Sequence, residues 1–151
     1  MVSAEAVRSV VSRVVDPEIP VLTIEDLGVL RDVHVDEDGR VQVTITPTYS
    51  GCPAMDAIRA DVERALREHG FTGAVVRTVL SPAWTTDWMT DDGKRKLAAY
   101  GVAPPVPVED VCCPNCGSDD TRLVSRFGST ACKALRACNR CLEPFDHFRC
   151  H

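Results

Sequence analysis

The sequence predicts an α+β or α/β chain in two parts. The first is a small N-terminal α/β domain, a three-stranded mixed sheet with helices on one face. The second is a small β domain clasped by metal. Three observations carry this. Apolar residues follow helix and strand periods in alternation from residue 4 to residue 80. Seven of the eight cysteines lie after residue 111. Pro104, Pro105 and Pro107 interrupt the chain between the two patterns and predict a semi-rigid linker. The expected division is 1–103 for the first domain, 104–110 for the linker and 111–151 for the second domain.

Ala4 to Val15 reads as an amphipathic helix, with Ala4, Val7, Val10, Val11 and Val14 in one stripe. Pro17 ends it, because the residue before proline avoids the helical region. Asp16-Pro17-Glu18-Ile19-Pro20 is then an extended, stiff loop carrying two carboxylates. Val29, Arg31, Val33 and Val35 alternate with Leu30, Asp32, His34 and Asp36 as a half-exposed strand. Asp38-Gly39 gives the turn signal. Val41, Val43 and Ile45 return as the second strand, closed by Pro47. Cys52 to His69 forms a helix with Met55, Ile58, Val62, Ala65 and Leu66 on its apolar face and Gly70 as its stop. Ala74 to Leu80 is a third strand, and Thr90 to Tyr100 a short further helix. Trp84 and Trp88, in the irregular stretch between them, read as cover for the core or an interface.

Charge divides with the cysteines. Residues 1–110 carry 11 Lys and Arg against 18 Asp and Glu, a net of −7, while residues 111–151 carry 6 against 4, a net of +2. A mainly acidic chain is a poor match for a phosphate backbone, so nucleic acid is not an expected partner. No run approaches the roughly 18 apolar residues of a membrane span. Residues 1–6 lack a basic segment followed by an apolar one, which predicts a cytoplasmic protein. In a reducing compartment the cysteines are then metal ligands or reactive thiols rather than disulfides.

Cys113-Pro-Asn-Cys116 and Cys138-Asn-Arg-Cys141 are two CxxC pairs with 21 residues between them. The spacing suits four thiolates around one tetrahedral zinc, each pair presented by a tight turn, and Gly117 lets the first turn bend back. Iron in the same site is the alternative metal. Arg122 to Phe127, Ala131 to Arg136 and Phe145 to Arg149 are strand-like, giving a zinc ribbon. About 40 residues bury too little apolar surface to fold alone, and metal binding supplies the deficit. Four cysteines leave no open position for water, so the zinc is expected to be structural and the chain not an enzyme. Cys112 could replace Cys113 only by lengthening the gap. Cys132 and Cys150 are left over, and Cys150-His151 reads as a frayed terminus or a weak metal site.

Ser50-Gly51-Cys52-Pro53-Ala54 is the second feature with chemistry. Pro53 suits the first helical position, which puts Cys52 at the N-cap. There, unpaired amides and the helix dipole favour a thiolate. Thr46, Thr48, Tyr49 and Ser50 crowd the same loop with hydroxyls. A buried structural cysteine is the competing reading, as a solvated turn is for Asp16 and Glu18. His34 is read as exposed, and no spacing makes it a base for Cys52.

In combination, Asp16-Pro-Glu-Ile-Pro20, Ile24-Glu-Asp-Leu-Gly28 and Ser50-Gly-Cys-Pro-Ala54 ahead of a helix resemble the SufT-like family of iron–sulfur assembly factors. Several later segments look like its PaaD subgroup. These are Asp87-Trp-Met, Gly101-Val-Ala-Pro-Pro105, Cys113-Pro-Asn-Cys-Gly117, Phe127-Gly-Ser-Thr130, Cys132-Lys-Ala-Leu135 and Glu143-Pro-Phe145. The resemblance implies an accessory protein of the phenylacetyl-CoA oxygenase (epoxidase) in aerobic phenylacetate breakdown. Such a protein matures the metal centres of the enzyme rather than performing the ring epoxidation. The implied partners are the di-iron oxygenase subunit and the iron–sulfur reductase of that system, or a second copy of the chain. The implied cargo is transient iron or an iron–sulfur cluster. Carried over by position, Cys52 is the motif thiol, Asp16 and Glu18 form the acidic motif, and Thr48, Ser50 and Gly51 belong to the thiol loop. A structural adaptor that assembles the oxygenase without touching metal is the alternative.

Overall fold

A computed structural model describes residues 2–49 and 52–151. It divides into two compact units, residues 1–90 and residues 91–151.

In the first unit, α1 (Ala4–Val11) starts at Ser3, whose hydroxyl accepts the Ala6 amide. The predicted helix runs four residues further than the observed one. The reason is a competing pairing: Val15 bridges Thr23, Ile24 N–H donates to the Val14 carbonyl at 2.8 Å, and Asp16 N–H donates to the Leu22 carbonyl at 2.9 Å. These bonds pull residues 14–16 out of the helix and close the acidic loop at its neck. A short helix absent from the sequence reading follows, α2 (Ile24–Leu27). Thr23 and Asp26 form a capping box, and Gly28 ends the helix at φ 78°. A side chain at Gly28 would place its Cβ 2.5 Å from the Trp88 carbonyl oxygen.

β1 (Leu30–Val35) and β2 (Val41–Ile45) form an antiparallel pair, and β3 (Val75–Thr78) lies parallel to β2 in the order β1-β2-β3. A bulge between Leu30 and Asp32 shifts the phase of β1, so Val29 and Leu30 are both buried where strict alternation expects one to be exposed. β2 alternates as expected, with Val41, Val43 and Ile45 buried. α3 (Ala54–Glu68) makes the crossover from β2 to β3 and buries Ile58, Val62 and Leu66. The core adds Val7 and Val11 from α1 and Ile19, Leu22, Ile24 and Leu27 from the loop and α2. Trp84 is buried and its Nε1–H donates to the Leu27 carbonyl at 2.8 Å. Trp88 takes the Arg31 guanidinium at 3.5 Å from its ring centre. Both tryptophans thus cover the α2–β1 junction.

The second unit contains α4 (Asp91–Tyr100), β4 (Val102–Ala103), β5 (Thr121–Ser125), β6 (Lys133–Cys138) and β7 (Pro144–Phe148). Its sheet runs β4-β7-β6-β5, with β4 parallel to β7 and the other pairs antiparallel. The chain therefore divides before α4, not at the expected boundary after residue 103. The prolines do mark irregular backbone. However, Val102 and Ala103 find hydrogen-bonding partners along β7. Val106 and Val111 pack with Ala103, Cys113, Cys138 and Phe145 in one apolar cluster. Residues 104–110 are a strap on the second unit rather than a spacer.

Candidate functional site: a four-thiol cluster and a thiol ahead of a helix

The cluster is built by two similar turns. In the first, Gly117 N–H donates to the Cys113 carbonyl and Cys113 N–H to the Ser118 carbonyl, both at 2.8 Å, with Gly117 at φ 79°. In the second, Cys138 N–H donates to the Glu143 carbonyl at 2.9 Å, and Leu142 takes the left-handed conformation at φ 67°. That a leucine accepts the glycine-favoured region shows how tightly the turn is specified.

The turns bring the Sγ atoms of Cys113, Cys116, Cys138 and Cys141 within 4.8 Å of one another. Cys113 and Cys141 are 3.7 Å apart at sulfur, and Cys116 and Cys138 are 3.6 Å apart. Zinc–sulfur bonds of about 2.3 Å in a tetrahedron require sulfurs roughly 3.8 Å apart, which these two pairs match. Amides stabilise charge on them. Arg140 and Cys141 N–H groups approach Cys138 Sγ at 3.3 and 3.4 Å. The Cys141 amide and then the Arg140 amide outweigh burial and bring Cys138 down to about 6. The Glu143 amide, helped by Asn115 Nδ2 at 3.6 Å, lowers Cys141. The Ser118 amide also pulls Cys116 downward, but burial and the three neighbouring thiols raise it to about 11.

Cys112 is exposed and its thiol turns to the Asp110 carbonyl. Cys132 is buried with its sulfur 3.0 Å from the Thr130 hydroxyl. Cys150 is exposed, and the His151 ring lies edge-on to Phe148 rather than hanging free.

Cys52 sits one residue further from the helix than the sequence predicts. Pro53 is the N-cap of α3, because its backbone is already helical at φ −67° and ψ −21°, and among the described residues it makes no side-chain cap. Cys52 lies between two turns, its N–H donating to the Tyr49 carbonyl and its carbonyl accepting the Met55 N–H, both at 3.2 Å. The thiol is half-buried, and the Thr48 hydroxyl lies 3.9 Å from its sulfur. At the end of β2, Thr46 is buried, and its hydroxyl has no hydrogen-bond partner among the described residues. Ser50 and Gly51, the other expected members of the loop, lie outside the described residues.

The acidic loop is not a solvated turn. Asp16 is 8% exposed, and its Oδ1 accepts the Glu18 amide at 2.6 Å and the Ile19 amide at 3.1 Å. Ile19 and Leu22 anchor the same loop in the core. Glu18 is half-buried and His34 is exposed on β1 opposite Gln42. Asp26, which the sequence marks only as part of the Ile24–Gly28 motif, is a buried carboxylate whose Oδ2 accepts the Thr23 amide. The Thr23-to-Asp26 spacing of a capping box was the available signal.

Comparison with known proteins matches the same regions. The family model described as iron–sulfur cluster assembly protein covers residues 4–80, and that described as PaaD zinc beta ribbon domain covers residues 102–149. An Escherichia coli protein provisionally named as a component of 1,2-phenylacetyl-CoA epoxidase is 49% identical over 150 residues, spanning 94% of this chain and 90% of its own. The Fe-S protein maturation auxiliary factor YitW of Bacillus subtilis is 38% identical over 94 residues, spanning 62% of this chain and 91% of its own. The crystal structure of a DUF59 domain from Bacillus anthracis superposes with a TM-score of 0.57 at 29% identity, covering 62% of this chain and 90% of that one. No helix among the described residues is long and apolar enough to cross a membrane. Two domain models in series, and one relative matching both, give a single reading: the chain belongs to the iron–sulfur cluster assembly protein family, in the form that carries a C-terminal PaaD zinc ribbon.

Proposed function

We propose that this protein is an accessory factor that matures a metal centre, iron–sulfur or di-iron, of a multicomponent oxygenase of the phenylacetyl-CoA epoxidase type. It works in the cytoplasm and performs no catalysis of its own. Cys52 is the cargo ligand, with the Asp16–Glu18 loop and the Thr48–Gly51 segment as its setting. Cys113, Cys116, Cys138 and Cys141 hold a structural zinc, which supplies folding energy and no chemistry.

The observation that supports this most is the contrast in sulfur environment. Cys52 is half-buried with a hydroxyl as its described neighbour, while the four ribbon thiols satisfy one another's geometry. A thiolate is a soft ligand suited to iron, but a lone protein thiol falls short of the four that normally retain a cluster. Such a site binds and releases, or is completed by a second copy of the chain or by the recipient. The family supports cluster assembly as the role, and the E. coli relative's name supports oxygenase components as recipients.

The test is anaerobic co-expression with the oxygenase components, with this chain, without it, and with Cys52→Ser. Iron content and epoxidase activity of the purified oxygenase should fall without the chain and fall comparably with the variant. Equal iron content in all three would remove the maturation role.

A further inference from the structure

The ribbon sheet has an exposed end that the zinc cluster does not explain. A hollow of about 180 Å³ opens there, with Val108 and Leu123 in its wall and Arg126, Arg136 and Arg149 around it. The apolar surface continues outside it: Val108, Leu123 and Phe127 are 65%, 52% and 66% exposed. Phe127 adjoins the hollow through Arg149, whose guanidinium lies 5.6 Å from its ring centre. Two of the arginines are pinned. Arg136 donates from Nε and Nη2 to the Thr121 hydroxyl, and Arg149 donates from Nη2 to the Ala131 carbonyl. His147 also lines the hollow. It is 2% exposed, and its Nε2 is buried without a hydrogen-bond partner among the described residues, as is the Nε of Arg149.

We infer that this face docks a protein segment in which an apolar side chain is flanked by Asp or Glu. Three features select that occupant. The hollow is below the roughly 300–1,000 Å³ of small-molecule sites, so it takes a side chain rather than a whole metabolite. Three guanidiniums beside an apolar wall are complementary to carboxylates, and arginine and aromatic groups are the usual anchors of protein interfaces. Among the described residues the adjoining strand β5 pairs only with β6, so its outer edge can receive extended chain. The inference rests on the proposed function only for the identity of the partner, an oxygenase component awaiting its metal.

The experiment measures binding of the zinc-loaded full chain to the purified oxygenase components, using Leu123→Asp with Arg126→Glu as the patch variant. Both positions are exposed, and retained zinc content reports a folded ribbon. Arg95→Glu, on the exposed side of α4 with its side chain 76% accessible, controls for charge. The expected result is a loss of roughly tenfold or more for the patch variant and near-native affinity for Arg95→Glu, with binding weakening as salt rises. Equal binding by wild type and patch variant overturns the docking site while leaving delivery through Cys52 standing. No binding of wild type to any component overturns it too. So does patch-dependent binding to equimolar phosphatidylcholine–phosphatidylglycerol vesicles in place of the protein. Delivery itself is read separately, from the iron content of the oxygenase co-expressed with Cys52→Ser.

Discussion

In the ribbon, four sulfurs within 4.8 Å are held by two turns, with amide donors on Cys138 and Cys141. In the first unit, one sulfur is half-buried on a connecting loop, 3.9 Å from a threonine hydroxyl. The ribbon group supplies the four sulfurs that a closed tetrahedral site needs. Among the described residues, the Cys52 site offers a single thiol. A domain that must stay folded requires the first arrangement, and a carrier requires the second. Finding both in one chain argues for a division of labour rather than for two metal centres of the same kind.

The largest effect should come from breaking the ribbon site. Cys138→Ser removes the sulfur with two amide donors, and structural zinc is worth on the order of 10–16 kcal/mol in small zinc domains. The variant should lose nearly all its zinc, and exchange protection should vanish across β5, β6 and β7 while the first unit retains its own. Protection that survives zinc loss would show that the ribbon core suffices without metal.

Next is Gly28→Ala. The added Cβ meets the Trp88 carbonyl at 2.5 Å and must also take a φ near 78°. Destabilisation of the first unit by on the order of 3 kcal/mol is expected in denaturant titration, with zinc content unchanged. Asp16 gives a sharper, smaller pair. Asp16→Ala removes the acceptor for two loop amides and should cost about 1–2 kcal/mol. Asp16→Asn keeps an acceptor oxygen and should cost clearly less. If the asparagine variant is stable yet supports less oxygenase loading, the carboxylate charge contributes to cargo handling; if loading is normal, Asp16 only shapes the loop. The smallest stability effect belongs to Cys52→Ser, within about 0.5 kcal/mol, because a half-buried thiol on a loop contributes little packing.

The sequence was most legible where chemistry fixes spacing. Two CxxC pairs give the four-thiol group directly, and the alternation of Val41, Val43 and Ile45 gives β2 its buried face. It was least legible where tertiary pairing overrides local preference. The stripe through Val14 predicts a longer α1, but the bonds from Ile24 and Asp16 unwind its end. The bulge in β1 moves Leu30 inward, a shift that no single-strand pattern records. The division at residue 90 is not written in the prolines, which signal irregular backbone without saying which unit that backbone packs on. Of the candidate site, the motif marks Cys52 as the proposed thiol. Its one-residue displacement from the cap was not readable, because Pro53 is equally compatible with the N-cap and with the first helical turn. The arginines around the ribbon hollow come from a loop, β6 and the residue after β7, and only the fold assembles them.

The central claim is that Cys52 hands metal to another protein while the ribbon keeps its own. The chain, loaded anaerobically with isotopically labelled iron, should be mixed with a metal-free oxygenase component and separated, and the label then counted in each. Transfer of most of the label from wild type, none above background from Cys52→Ser, and unchanged zinc in both is the predicted result. Equal transfer from the variant would contradict the account, and so would label that leaves the ribbon cysteines instead.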